Sequence, residues 1–224
     1  MATAASTRSL EALATHGKPA ATSTAPGNLP GPEISSALYR LTVWQYDRMI
    51  HDGIIREAER VELVEGLLVT KKGRNRPHVQ TGVRGLRLLS GLVPANWHVR
   101  KEDSIVASDW SKPEPDLAVV RGRSEAYDER DVTAADVALV VEIADSSLPA
   151  DQQDMARVYS AGGIAIYWII NLVDRQVELY SEPGPSGYTS IQILKPGQVL
   201  PVMIDAMVVG QIAVSELLPP AEKR

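Results

Sequence analysis

The sequence predicts a mixed α/β (α+β) domain in which helices flank a central mixed sheet. Strand-like and helix-like segments alternate along the chain, which is typical of that class. Residues 137–144 (VALVVEIA) are almost continuously apolar, which indicates a strand buried on both faces. Residues 77–92 carry apolar side chains at helical spacing, which indicates an amphipathic helix packed on the sheet.

The first expected element is a short helix. Thr42 followed three residues later by Gln45 is the pattern of a capping box, which satisfies backbone N–H groups at a helix start. This helix should continue through Tyr46 and Met49 and end at Gly53.

A hairpin and a longer helix come next. Strands are expected at 60–64 and 67–71, on either side of a Glu65-Gly66 turn. The helix at 77–92 should turn four residues towards the sheet, namely Val79, Val83, Leu86 and Ser90.

Short strands and one more helix complete the domain. Strands are expected at 97–100, 104–107, 116–120, 137–144, 164–170, 176–180 and 189–194, and the first two should form a hairpin. A helix is expected at 151–161, where Gly162-Gly163 would end it.

The composition excludes several classes of protein. The 23 Lys and Arg against 28 Asp and Glu give a net charge of −5, which excludes binding to nucleic acid through bulk positive charge. The absence of Cys excludes disulfide scaffolds, thiolate zinc sites and cysteine nucleophiles, and it fits a cytoplasmic protein. Apolar runs such as 164–170 are far shorter than the roughly 20 residues that span a bilayer, so no membrane association is expected.

Two regions differ in composition. Residues 1–35 are dominated by Ala, Ser, Thr, Pro and Gly without a sustained apolar period, which predicts a disordered tail. Residues 36–224 contain no visible internal repeat and should form one domain.

Carboxylates interrupt the apolar strands at three places. Glu142 lies inside the run VALVVEIAD, Asp116 starts a predicted strand, and Glu62 stands between two apolar residues. A buried carboxylate needs a partner, and any one of these acids could pair with an arginine such as Arg60 or Arg157. Three such acids with few cations between them favour a divalent metal instead. An oxygen-only donor set suits Mg²⁺ or Mn²⁺.

Several motifs together resemble the Uma family of bacterial restriction endonucleases, within the PD-(D/E)XK nuclease superfamily. They are ELVEG at 62–66, PHVQ at 77–80, EPDLAVV at 114–120, LVVEIADSS at 139–147 and the run at 159–180, in the family's order and near its spacing. The likeness covers residues 39–218. It implies a restriction-endonuclease-like core in which Glu62, Asp116 and Glu142 hold Mg²⁺ beside the scissile phosphate of DNA.

The resemblance also implies a catalytic lysine, which this chain lacks at both expected positions. The position two residues after the third acid is Ala144, and the helix position that Uma relatives use is Met155. On an α-helix, Asp151 and Gln152 lie one turn before Met155 and share its face, so Gln152 is a candidate to bind the attacking water, although it brings no charge. Lys71 and Lys72 are further candidates, and a solvated lysine at a strand end is the plainer role for both.

One stretch is densely basic in this acidic chain. KKGRNRPH at 71–78 precedes a predicted helix whose N-terminal amides also suit phosphate. Five side chains of this stretch are predicted to contact nucleic acid: Lys71, Lys72, Arg74, Arg76 and His78. The alternative is a solvated basic loop, since runs of charge commonly serve solubility.

Two functions follow from these observations. The first is a Mg-dependent DNA endonuclease with Glu62, Asp116, Glu142 and Gln152 as catalytic residues. The second is a catalytically degenerate nuclease fold that serves as a nucleic-acid-binding or protein-interaction module. Cutting both strands of DNA would favour a symmetric homodimer, but no residue pattern fixes the oligomeric state.

Overall fold

The helices and strands alternate along the chain. The computed structural model describes residues 38–71 and 73–220, so the expected tail at 1–35 lies outside the described residues. The helices of the described part are α1 (Val43–His51), α2 (Arg76–Ser90), α3 (Leu148–Ala150), α4 (Ala156–Ala161) and α5 (Val214–Leu217). The strands are β1 (Val61–Val64), β2 (Leu67–Thr70), β3 (Trp97–Lys101), β4 (Leu117–Arg121), β5 (Val137–Ala144), β6 (Ile166–Asn171), β7 (Gln176–Gly184), β8 (Gly187–Leu194), β9 (Val199–Ile204) and β10 (Met207–Ala213). No helix within the described residues is long and apolar enough to cross a membrane.

A mixed sheet forms the centre of the fold. Six strands of the described chain pair in the order β3-β4-β5-β6-β7-β8. β5 and β6 are parallel, and the other neighbouring strands of this sheet are antiparallel. The parallel pair requires a crossover, which α3, a π-helical turn (Asp151–Met155) and α4 supply. The predicted fold class, a mixed sheet flanked by helices, is confirmed.

The two faces of the central sheet carry different layers. Side chains alternate along β5, so Leu139, Val141 and Ile143 pack in one core together with residues of α2, β9, β10 and α5. Val140 and Ala144 face the other core, which contains residues of the π-helical turn and α4. By the same alternation Glu142 faces this second layer, which places its carboxylate beneath the crossover.

The expected capping box of the first helix is confirmed. Gln45 donates its backbone N–H to the Thr42 hydroxyl at 3.2 Å and accepts from the Thr42 backbone N–H at 2.9 Å, which completes the capping box of α1. β1 and β2 form an antiparallel hairpin apart from the central sheet. Its turn residues, Glu65 and Gly66, have φ angles of 48° and 80°, as the right-handed twist of a two-residue hairpin requires.

Two expectations about strands were wrong. Residues 104–107 form no strand, and Val106 makes an isolated bridge with Thr133 while β3 pairs with β4. The reason is a local turn, in which the Ala107 N–H donates to the Ser111 carbonyl. The hairpin of β9 and β10 was not among the expected elements, and β9 contains Pro201. Proline is tolerated there because β9 pairs with β10 alone among the described strands.

The buried face of α2 also differs from the prediction. Val79 and Val83 are 45% and 57% exposed, and Ser90 is exposed too. The buried residues of α2 are Thr81, Gly82, Gly85 and Leu89, and Leu86 alone of the four predicted residues packs against the core. The glycines permit a close approach, since a Cβ at Gly85 would lie 2.7 Å from Cδ1 of Leu117.

Substitution of Gly162 tests how closely the end of α4 packs against the neighbouring backbone. A Cβ at Gly162 would lie 2.9 Å from the backbone oxygen of Ala107, so we expect Gly162→Ala to destabilise the protein by about 1–3 kcal/mol. Gly91 ends α2 with almost the same backbone angles, and a Cβ there would meet nothing nearer than 3.6 Å. Denaturant unfolding should therefore show Gly91→Ala close to wild type. Equal losses in the two variants would contradict the close contact.

Candidate active site

A cavity of about 230 Å³ opens among the hairpin β1–β2, the start of α2, the end of β5 and the crossover. Its acidic lining residues are the three predicted acids, Glu62, Asp116 and Glu142, together with Asp145, Asp151 and Asp154. Its cationic or titratable basic lining residues are Arg60, Lys71, Arg74 and His78. The structure thus brings Glu62, Asp116 and Glu142, which are far apart in sequence, to one cavity.

Asp116 and Glu142 face each other across neighbouring strands. β4 and β5 pair Leu117 with Val141, which sets Asp116 opposite Glu142. The Ile143 N–H donates to Oδ2 of Asp116 at 2.8 Å, and the Asp116 N–H lies 3.4 Å from Oε2 of Glu142. Both residues are buried. Like charges placed directly opposite on adjacent strands repel, so this arrangement does not favour stability by itself.

The surroundings drive the pKa values of these two acids apart. Burial raises the pKa of Glu142 well above its ordinary value, and the charges of Asp116 and Asp151 raise it further. Burial also acts to raise the pKa of Asp116, but the hydrogen bond and charge of His78 outweigh it and lower the pKa, with help from the Ile143 N–H. Nε2 of His78 lies 3.2 Å from Oδ2 of Asp116. Asp116 is therefore the more readily ionised member of the pair.

Glu62 reaches the cavity from β1. Its Oε2 accepts the backbone N–H of Glu114 at 3.0 Å and lies 3.9 Å from Nζ of Lys71. Burial raises the pKa of Glu62, and the charge of Lys71 partly opposes that shift. Glu62 is therefore hydrogen-bonded to the segment that leads into Asp116.

Asp151, which lines the cavity, and Tyr159, which is buried against Glu142, were not among the predicted site residues. Burial raises the pKa of Asp151 to about 6, and the charges of Asp116 and Glu62 contribute. The hydroxyl of Tyr159 donates to Oε1 of Glu142 at 2.7 Å. The sequence indicated Asp151 because it lies one helical turn before Met155. It did not distinguish Tyr159, which lies in an apolar helix, from a core residue.

Gln152 does not lie at the cavity, so its predicted place beside the attacking water is wrong. Its side-chain amide donates to both carboxylate oxygens of Glu178, each at 3.0 Å. The prediction assumed α-helical geometry, but Asp151–Met155 is a π-helical turn. A π-turn has more residues per turn than an α-helix, so it keeps Asp151 and Met155 at the cavity and turns Gln152 aside.

Most of the described basic side chains at 71–78 point into the cavity. Lys71, Arg74 and His78 line the cavity, and Arg74 pairs with Glu102 and with Glu114. Arg76 is exposed at the first turn of α2. Lys72 lies outside the described residues. The stretch is therefore not simply a solvated loop, and three of its side chains are committed to acidic partners.

Met155 occupies the position where the resemblance places a lysine, and it lines the cavity. A methionine brings no charge to the acids. Lys71 enters from the hairpin instead, with its side chain only 14% exposed. Its ammonium group donates to the Glu114 carbonyl and lies 3.6 Å from Oε1 of Glu114. The plainer expectation of a solvated lysine does not describe this residue.

The donor chemistry suits a hard cation, although the described residues form no complete metal cage. No group of three or more His, Asp or Glu residues within 38–71 and 73–220 is arranged to hold a metal ion. Asp116 and Glu142 nevertheless provide an adjacent pair of carboxylates. Mg²⁺ commonly binds through one or two carboxylates and retains several waters, so this pair fits Mg²⁺ or Mn²⁺.

Replacing Glu142 should stabilise the metal-free protein. Glu142→Gln removes a buried carboxylate that faces Asp116, and we expect a gain of about 1 kcal/mol. Because the folded-state pKa of Glu142 is raised, the folded protein binds more protons than the unfolded chain above pH 4.5, and wild-type stability falls as pH rises through that window. The gain should therefore be larger at pH 8 than at pH 5 in thermal unfolding.

Glu178 is the matched control, because it is also a buried glutamate but lies in a network of neutral donors. Its carboxylate accepts from Gln152, Asn171, Gln176 and Tyr180. Glu178→Gln should cost about 1–3 kcal/mol, since one of these donors loses its acceptor. If Glu142→Gln lost as much stability as Glu178→Gln, the cavity carboxylate would be a structural residue.

Comparisons with known proteins agree with the fold and the motifs. No curated protein matches the chain. A crystal structure described as a putative nuclease belonging to DUF820, from Anabaena variabilis, superimposes with a TM-score of 0.61 and 14% sequence identity, over 79% of this chain and 97% of that one. This likeness supports the fold. The model of the Uma2 family, described as "Putative restriction endonuclease", matches residues 43–207, and the chain therefore belongs to the Uma2 family.

Proposed function

We propose that the protein is a divalent-metal-dependent endonuclease that hydrolyses phosphodiester bonds of DNA. The observation that carries the proposal is the opposed pair of buried carboxylates, Asp116 and Glu142. The cavity beside them is also lined by cationic side chains. The description of the Uma2 family supports the same reaction class.

A buried pair of carboxylates that repel each other is better explained by a functional role than by a structural one. Burial and then the charge of Asp116 raise the pKa of Glu142, so the ionised pair opposes stability. A divalent cation would relieve the repulsion, with Asp116 and Glu142 as its ligands and Glu62 beside them. When bound, Mg²⁺ or Mn²⁺ supplies Lewis acidity and lowers the pKa of a coordinated water.

Residues of this chain also provide for the phosphate. Nη2 of Arg60 is buried without a hydrogen-bond partner among the described residues, and Arg60 lines the cavity. A guanidinium group matches the geometry of phosphate oxygens, so Arg60 is proposed to bind the scissile diester. Arg76, exposed at the N-terminal turn of α2, is proposed to contact a neighbouring phosphate. His78 holds Asp116 in position through its Nε2.

Supercoiled plasmid DNA tests the proposal. We expect the purified protein to nick it in the presence of Mg²⁺ or Mn²⁺ and to stop when EDTA is added. Asp116→Asn should lower the initial rate at least about 100-fold, because the site loses the ligand charge that the metal requires. Asp205→Asn changes an acid of the same kind whose side chain is half exposed and pairs with Arg121, and this control should cleave as wild type does.

A DNA-binding module without cleavage is the second candidate, and Met155 at the expected lysine position favours it. That protein would retard DNA in the presence of EDTA and leave no nicks with either metal. Retardation would weaken when Arg60 and Arg76 are neutralised. Binding that survives EDTA, without nicking by the wild-type protein, would replace the nuclease proposal by this one.

A further inference from the structure

We infer that Lys71 supplies the cationic group of the active site, from the hairpin rather than from the helix position that Met155 occupies. This inference rests on the proposed nuclease function. Phosphoryl transfer develops charge on the phosphoryl oxygens, and a preorganised cation beside them contributes strongly to the rate. Met155 lines the cavity but cannot provide a charge.

The position of the Lys71 ammonium group is the first argument. Nζ donates to the Glu114 carbonyl and lies 3.9 Å from Oε2 of Glu62. Only 14% of the side chain is exposed. Holding a long side chain in one conformation costs conformational entropy, and a lysine at a strand end would otherwise extend into solvent.

The second argument is the reach of its charge. Lys71 lines the same cavity as Glu62, Asp116, Glu142 and Asp151, so its positive charge faces acids from separate elements of the fold. A phosphate bound to a metal ion that those acids hold would need a positive charge in this cavity.

The backbone explains why the side chain points there. The Lys71 N–H donates to the Arg60 carbonyl at 2.8 Å, which continues the β1–β2 pairing one residue beyond Val61 and Thr70. Side chains two apart on a strand share a face, and Val69 also lines the cavity. The hairpin therefore directs Lys71 inward and places it on the same wall as Arg60.

In the proposed reaction Lys71 remains protonated. The oxygen of a water forms a bond to phosphorus while the bond from phosphorus to the leaving sugar oxygen breaks. One proton of the water ends on the leaving hydroxyl and the other on the new phosphate monoester or in solvent. The ammonium group donates hydrogen bonds to the phosphoryl oxygens and stabilises their charge as these bonds change.

A lysine swap tests the inference. Lys71→Met should lower the plasmid-nicking rate about 100-fold or more, and adding Met155→Lys to it should restore at least about tenfold of that loss. Lys195→Met, which changes an exposed lysine after β8, is the matched control and should retain the wild-type rate. Calorimetric titration should show Lys71→Met binding Mn²⁺ at least as tightly as wild type, since the cation that competes for Glu62 is gone.

The outcomes separate the inference from the function on which it rests. Nicking by Lys71→Met at the wild-type rate would overturn the role of Lys71 and leave the nuclease proposal intact. Loss of both nicking and Mn²⁺ binding in Lys71→Met, without rescue by Met155→Lys, would assign Lys71 a structural role and overturn the inference. Absence of nicking by the wild-type protein with either metal would remove the nuclease proposal itself, and the inference with it.

Discussion

The opposition of Asp116 and Glu142 across β4 and β5 is the constraint on which the site depends. Two carboxylates meet in a buried part of the sheet, where neither charge is well solvated. The neighbouring elements compensate for this arrangement in different ways. The Ile143 N–H and His78 favour the charged form of Asp116, whereas Tyr159 donates a hydrogen bond to Glu142. Each layer around the central sheet therefore contributes to holding a pair that the sheet alone would exclude.

The same elements that bury the pair also form the cavity above it. Alternation along β5 turns Glu142 away from the core that contains Leu139 and Val141. The parallel pairing of β5 and β6 requires a crossover, and that crossover brings Asp151 over the carboxylates. On the other side the glycine-lined face of α2 lets its first turn, with His78, approach the sheet closely. The site is a consequence of topology, and no single loop creates it.

Local patterns predicted much of the fold and part of the site. The apolar run of β5 and the capping box of α1 are readable because each depends on neighbours in sequence, and a carboxylate within an apolar strand marked Glu142 in the same way. Features that depend on distant contacts were not readable. Gln152 was misplaced because nothing in the spacing announces a π-helical turn, and Val79 because glycine, rather than an apolar side chain, forms the packed face of α2. The burial of Lys71 depends on Glu114, 43 residues away.

The location of a positive charge is less constrained by the fold than the location of the acids. Glu142 must stand on β5 because the strand register sets it opposite Asp116, and a shift of one residue would turn it into the other core. A lysine has a long flexible side chain, and its ammonium group can reach the same volume from a helix or from a hairpin. Met155 packs among apolar residues of the second core, so a neutral side chain there also fits the packing of α4. The positions of the acids therefore identify a site of this kind more reliably than the position of its lysine. Strand register fixes where the acids lie, whereas the lysine only needs to reach the cavity.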